Sequence, residues 1–201
     1  MSVDSTATDG ELAAALVAGD TSALDELDRR YRPRLLRLAV SRLGAERGED
    51  AVQETFLCVL KSIGSYDSRY SFRTWLWTIL LNQIRRQLQR QLKRPLWFWG
   101  GAKPESAAAE HFEPATSQAG PPEVLLARER DEQLIALLAR LPEHQADALR
   151  LRFFGELKFQ EIADSLGCSV SAAKHRVQQG LLQLSTWLAA ESASAAARAD
   201  L

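Results

Sequence analysis

Apolar residues recur along this chain at three- and four-residue intervals. Val52, Phe56, Val59 and Ile63 form one row, and Phe72, Leu76, Ile79, Leu80, Ile84 and Leu88 form another. Such spacing gathers each set on one side of an α-helix. Between the rows lies GSYDSRYSF, whose glycine, serines and Asp67 are turn formers beside exposed rings. Upstream, Asp9 is placed to cap a helix through ELAAALVAG that Gly19 stops. Asp20 or Thr21 caps the next, with Leu24, Leu27, Tyr31, Leu35, Leu38 and Leu43 on its apolar side and Arg29, Arg30, Arg32, Arg34, Arg37 and Arg42 opposite. Pro33 falls inside this run and predicts a kink or break. GAERGED reads as a turn into the following helix. No run alternates convincingly with the period of a strand, so the fold class is all-α.

The pattern lapses between Pro95 and Pro122, a stretch rich in Pro, Gly, Ala and Ser with an acidic later half. That composition is a flexible linker. Trp97, Phe98 and Trp99 are unexpected within it; they either dock back on the first domain or meet a partner. The chain therefore divides into residues 1–94, the linker 95–122, a second domain 123–188 and a loose tail 189–201. In the second domain Val124, Leu125, Ile135, Leu138 and Leu141 mark one helix, which Pro142 ends, and Gly155 stops the next. Glu161-Ile162-Ala163, then Leu166-Gly167 and Ser169 before a new helix, is the pattern of a helix-turn-helix. Ala163 is small where the helices cross, Gly167 permits the tight turn and Ser169 can cap the second helix.

Charge is balanced overall, −1 on 201 residues with 25% charged and 46% hydrophobic, which is a globular profile of one or two small domains. Its distribution is uneven. Residues 1–27 hold six acids and no Lys or Arg, whereas Ser68–Pro104 hold no acid and Arg69, Arg73, Arg85, Arg86, Arg90, Lys93, Arg94 and Lys103. Cations beside a row of aromatics suit single-stranded nucleic acid: the cations follow phosphates and the rings stack on unpaired bases at roughly 1–3 kcal/mol per base. Each of Phe72, Trp75 and Trp77 fits a core position as well. The apolar runs are too short to span a bilayer, and the acidic N-terminus is no secretory signal. Cys58 and Cys168 lack metal-ligand spacing. The expectation is a cytoplasmic protein with reduced thiols, no metal, no cofactor and no membrane insertion.

GEDAVQETFLCVL followed by SYDSRYSFRTWLWTILLNQIRRQL resembles the N-terminal domain of extracytoplasmic-function (ECF) sigma factors, bacterial RNA polymerase subunits. LPEHQADALRLRFFGELKFQEIADSLGCSVSAAKHRVQQGLLQL is similar to their C-terminal DNA-binding domain. The resemblance spans roughly Glu11–Arg94 and Glu123–Leu188. It implies a non-enzymatic factor that binds core RNA polymerase and starts transcription from −10 and −35 promoter elements. On that resemblance Asp50, Gln53, Glu54, Thr55, Leu57 and Lys61 meet the clamp helices of the largest polymerase subunit. Tyr66, Asp67, Ser68, Arg69, Tyr70, Phe72, Arg73, Trp77, Asn82, Arg85 and Arg86 hold −10 DNA, with the loop and Asn82 forming a pocket for a flipped base. Extruding a base costs a few kcal/mol, which stacking and hydrogen bonds must offset. Ser171, Lys174, His175, Arg176, Gln178 and Gln179 bind −35 DNA, while Val177, Leu181 and Leu184 face inward. Further implied partners are the polymerase β flap and an anti-sigma factor.

The chain departs from that family at Ala172-Ala173, where Thr-Val is usual, at Gln179, where Arg is usual, and at Gly180, where Ala is usual. Helical glycine costs roughly 0.5–1 kcal/mol against alanine. Arg reads guanine through a bidentate pair whereas Gln prefers adenine, so a different −35 preference is expected. The acidic first 27 residues are expected to weaken DNA binding without core enzyme. The main rival reading is a helix-turn-helix regulator that is no polymerase subunit. It leaves the Gln53-Glu54-Thr55 helix and the acid-free aromatic block without a role. An enzyme built on Glu49, Asp50 and Glu54 lacks a second ligand group and a nearby His.

Overall fold

The structure is a computed structural model that describes residues 7–92 and 132–199, with side chains as far as 91 and from 132 to 190. The linker, including Trp97, Phe98 and Trp99, and Lys93, Arg94, Val124 and Leu125 lie outside the described residues. Among those described, the regular structure is helical throughout. The chain forms two compact units.

The first unit comprises α1 (Asp9–Val17), α2 (Ser22–Leu43), α3 (Ala45–Ser62), a single 3₁₀ turn (Ile63–Ser65) and α4 (Phe72–Leu92). Thr8 rather than Asp9 is the N-cap of α1. Its hydroxyl accepts from the Glu11 N–H while Glu11 accepts from the Thr8 N–H, a reciprocal pair legible as Thr-x-x-Glu. Asp9 instead accepts the Tyr31 hydroxyl and pairs with Arg30 across the α1–α2 contact. Burial and then that bond push the Tyr31 phenol up. Asp20 accepts from the N–H and hydroxyl of Ser22 as α2 begins. Pro33 does not break α2, which runs through it unbroken to Leu43.

GAERGED is helical rather than a turn. Gly44 alone separates α2 from α3, at φ +82°, a conformation that favours glycine. The two helices then pack closely enough that Gly48 is buried against Val40. Leu27, Leu35 and Leu38 of α2, Val52 and Val59 of α3 and Leu76, Leu80 and Ile84 of α4 fill the core, to which α1 adds Leu12 and Leu16. Each fully buried side chain of this kind contributes roughly 1.5–3 kcal/mol. Ile79 and Leu88 are only half-buried, and Trp77, Leu81 and Gln83 are buried instead. The arginine face of α2 is tied locally: Arg29 and Arg30 hold Glu26, and Arg32 bridges Asp28 and Glu49.

Arg29 and then Arg30 hold the Glu26 carboxyl down to about 2. A carboxyl depressed on folding adds stability that is complete above its ordinary value near 4.5 and is lost as pH falls toward 2. Glu26→Gln is therefore expected to flatten the acid limb of the unfolding curve between those limits, as followed by circular dichroism. An unchanged limb would remove this account of the pair.

The second unit holds a helical run over 132–140 (α5), α6 (Glu143–Phe153), α7 (Phe159–Leu166) and α8 (Val170–Ala199). α6 and α7 pack on α8 and on each other. α6 ends at Phe153, and the left-handed residue that follows is Glu156 rather than Gly155. Arg140 lies 4.4 Å from the Trp187 ring centroid, joining α5 to α8. Inside α6, the buried Arg150 lies 3.5 Å from Asp147. α8 continues to Ala199, through most of the stretch expected to be a tail.

Candidate nucleic-acid and polymerase interfaces

α3 turns Val52, Phe56 and Val59 inward, so Asp50, Gln53, Glu54, Leu57 and Lys61 fall on the outward side, all exposed. Thr55 is corrected: it is fully buried and its hydroxyl donates to the Ala51 carbonyl at 2.7 Å, so it supports the helix rather than meeting a partner. Leu60, one turn on from Leu57, is also exposed, at 40% against 46%.

Past the 3₁₀ turn, the loop is folded around rings. Tyr66 lies 5.7 Å from Phe72, edge-on, and 5.1 Å from Trp75, with Phe72 and Trp75 5.7 Å apart. The Tyr66 hydroxyl donates to the Tyr70 carbonyl at 2.6 Å. Burial, with the charges of Asp67 and Asp9, raises the Tyr66 phenol above its ordinary value, so it remains a donor. Phe72 and Trp77 are corrected. Phe72 is buried beneath Tyr66, and Trp77 is fully buried in the core, so neither presents a face to a base. Tyr70 points outward at 65% exposure. Ser68 and Arg69 are exposed too, and Asp67 and Arg69 are paired with each other.

Along α4, Asn82 and Arg86 are exposed, Arg73 and Arg85 half-buried. Arg85 donates to the Asn82 side-chain oxygen at 3.2 Å. From Ser68 to Leu92 the chain carries no carboxylate. Three acids of the first 27 residues are engaged locally, Glu11 with Thr8, Asp20 with Ser22 and Glu26 with two arginines. Leu12, Ala13 and Leu16 of the same segment are core, so deleting residues 1–20 would test folding rather than charge.

In the second unit α7 and α8 form the helix-turn-helix. Gly167 is left-handed at φ +62° and Ser169 accepts from the Ala172 N–H at 3.2 Å, as the sequence required. Ala163 is buried. On α8, Ser171, Lys174, His175 and Gln178 are exposed while Arg176 and Gln179 are half-buried. Val177 and Leu184 face inward, but Leu181 is corrected: it is exposed, next to Leu182. Lys174 also lies 5.8 Å from the Phe159 ring, which Arg152 approaches at 5.0 Å. Gly180 is buried, and a Cβ added there would meet the Leu149 side chain of α6.

Residues 27–94 match the family model for sigma-70 region 2, and residues 131–184 match that for sigma-70 region 4. Together they account for more than half of the chain, in that order. The chain belongs to the ECF sigma factors. It is similar to the RNA polymerase sigma-H factor of Pseudomonas aeruginosa, 29% identical over 84% of this chain and 88% of that protein. It is also similar to the ECF RNA polymerase sigma-E factor of Escherichia coli K12, 28% identical over 85% and 88%. The fold matches CnrH, solved in complex with the cytosolic domain of CnrY, at a TM-score of 0.67 and 24% identity, covering 93% of this chain and 99% of that one. It matches the sigma factor RpoE of Bartonella quintana, solved with the anti-sigma factor NepR, at 0.60 and 22%, covering 82% and 97%.

The sigma factor thus starts transcription as a DNA-binding initiation factor, and its partners are RNA polymerase and promoter DNA. The match to region 2 favours the sigma-factor reading over that of a regulator independent of polymerase. Among the described residues there is no group of acids, His and Cys able to hold a metal, and no helix long and apolar enough to cross a membrane. Cys58 and Cys168 are free thiols.

Proposed function

We propose that the loop Tyr66–Phe72 and the outward side of α4 receive strand-separated −10 DNA. The observation that carries this is the exposed Tyr70 ring on a loop buttressed by Tyr66, Phe72 and Trp75, next to a helix with Asn82, Arg85 and Arg86 and no carboxylate. Tyr70 stacks on a base, Asn82 bonds a base edge, and Arg73, Arg85 and Arg86 hold phosphates. Phe72 and Trp77 act from beneath as packing. Asp50, Gln53, Glu54, Leu57, Leu60 and Lys61 dock on the polymerase clamp helices, with Thr55 holding the helix they stand on. The second unit presents Ser171, Lys174, His175, Arg176, Gln178 and Gln179 to the −35 major groove and rests on the β flap. The neighbour solved with an anti-sigma factor supports a similar inhibitor here. The site of action is the cytoplasm.

Replacing Tyr66, Tyr70 and Asn82 together with alanine is expected to lower open-complex formation about 30- to 100-fold, the loss of one stacked and hydrogen-bonded base. Assembly with core polymerase should be unchanged. Permanganate footprinting of the melted strand reads the first quantity and comigration reads the second; intact promoter opening would end the assignment. At the −35 element, Gln179→Arg is expected to shift DNA selected from random sequence toward guanine at one position, a discrimination of about 1–3 kcal/mol. Identical selections from both proteins would remove Gln179 from base readout.

A further inference from the structure

Asp67 and Arg69 stand two residues apart in the loop proposed to receive the unpaired base, and they are turned on each other. One carboxylate oxygen of Asp67 accepts from the Arg69 backbone N–H and from its Nε, each at 3.0 Å. The other accepts from Nε at 2.8 Å and from Nη2 at 2.5 Å. The Tyr70 N–H donates to the Asp67 carbonyl at 3.0 Å, and the Tyr66 hydroxyl closes on the Tyr70 carbonyl from the other side. We propose that Asp67 and Arg69 form a positioning clasp that holds the loop in its base-receiving shape before DNA arrives, and that Arg69 is not a phosphate ligand. This rests on the base-capture reading above and revises the part these two residues play in it.

Global stability is not what such a pair supplies. The Arg69 side chain is 84% exposed, and exposed ion pairs add little because water and salt screen them. Its effect is local. Several hydrogen bonds spent on a two-residue separation remove conformers that the loop would otherwise have to lose on binding. The pairing also answers an electrostatic difficulty. A bare carboxylate on a DNA-facing loop repels phosphates, and the guanidinium cancels it. Its hydrogen bonds hold the Asp67 carboxyl below its ordinary value, so the clasp stays charged at neutral pH.

The test uses the holoenzyme assembled from core polymerase and the full chain, with promoter DNA already unpaired across the −10 element, titrated at several salt concentrations. Asp67→Ala and Arg69→Ala are each expected to weaken binding about tenfold. The double variant should be no weaker than the worse single, and Asp67→Asn, which keeps an acceptor for the Arg69 N–H, should lose less. The slope of log affinity against log salt should be the same for that double variant, which leaves no bare carboxylate, as for the unmodified factor. A slope flattened by about 0.7, the signature of one lost phosphate contact on a single strand, would overturn the clasp. So would tighter binding by Asp67→Ala, or no effect of either alanine. Tyr70→Ala/Asn82→Ala separates the two levels. If it weakens binding while Asp67→Ala/Arg69→Ala flattens the slope, the clasp alone falls; if it binds as the unmodified factor does, base capture falls and the clasp with it.

Discussion

Asp147→Ala is expected to destabilise the second unit by about 3 kcal/mol. Asp147 and Arg150 sit one turn apart on α6 with side chains 8% and 2% exposed. A buried guanidinium relies on its nearby carboxylate, so removing the acid leaves a positive charge in low dielectric with less to offset it. A small helical domain has only about 5–15 kcal/mol in total, which makes such a loss a large share. The expected result is a helical fraction that melts early in urea, with −35 binding lost and −10 binding by the first unit retained. The charge account makes a second demand. Asp147→Leu/Arg150→Met removes both charges and should recover most of the stability, because the pair as a whole contributes little net. If the double variant is no better than Asp147→Ala, the loss comes from packing and not from stranded charge.

Gly48→Ala is expected to cost the first unit about 2 kcal/mol. A Cβ there would lie 2.8 Å from the Val40 backbone nitrogen and 2.9 Å from its Cα. Backbone atoms cannot rotate aside, so α2 and α3 would have to separate along their contact. Gly180 is the instructive contrast. Its added Cβ would meet Leu149 Cδ1 at 2.7 Å and Cγ at 3.2 Å, atoms of one side chain that can turn. Alanine also gains roughly 0.5–1 kcal/mol of helix propensity, so Gly180→Ala should stay within about 1 kcal/mol of the parent. Urea unfolding of both variants decides it. Equal losses at the two glycines would show that side-chain relief is not what distinguishes them.

Much of the site was legible before any tertiary information. Turn formers and rings between two apolar rows located the loop, and the acid-free stretch located the cationic side of α4. The inward row of α3 fixed which of its residues face out, Thr55 excepted. Thr55 failed for a physical reason. It lies next to the Val52–Phe56 row, and whether that flank is covered depends on the width of the contact with α2 and α4. Trp77 failed in the same way. One row of leucines predicts one neighbour, yet α4 is packed by α1, α2 and α3 together, so its buried face is wider than its periodicity declares. Leu181 erred oppositely: it is apolar at helical spacing but lies where no described element covers α8.

By itself the amino-acid order determined most of the helices, the glycine and serine of the helix-turn-helix, the two-part organisation and the family, while it misplaced the α1 cap and the breaks expected at Pro33 and GAERGED. These follow from period, from glycine and from short polar side chains, all of which act between residues a few positions apart. Only the packed molecule decided which ring faces solvent, that Asp67 and Arg69 hold each other, and why Gly48 has no side chain. Those outcomes depend on how closely one helix approaches another, a distance that no single stretch of the chain encodes.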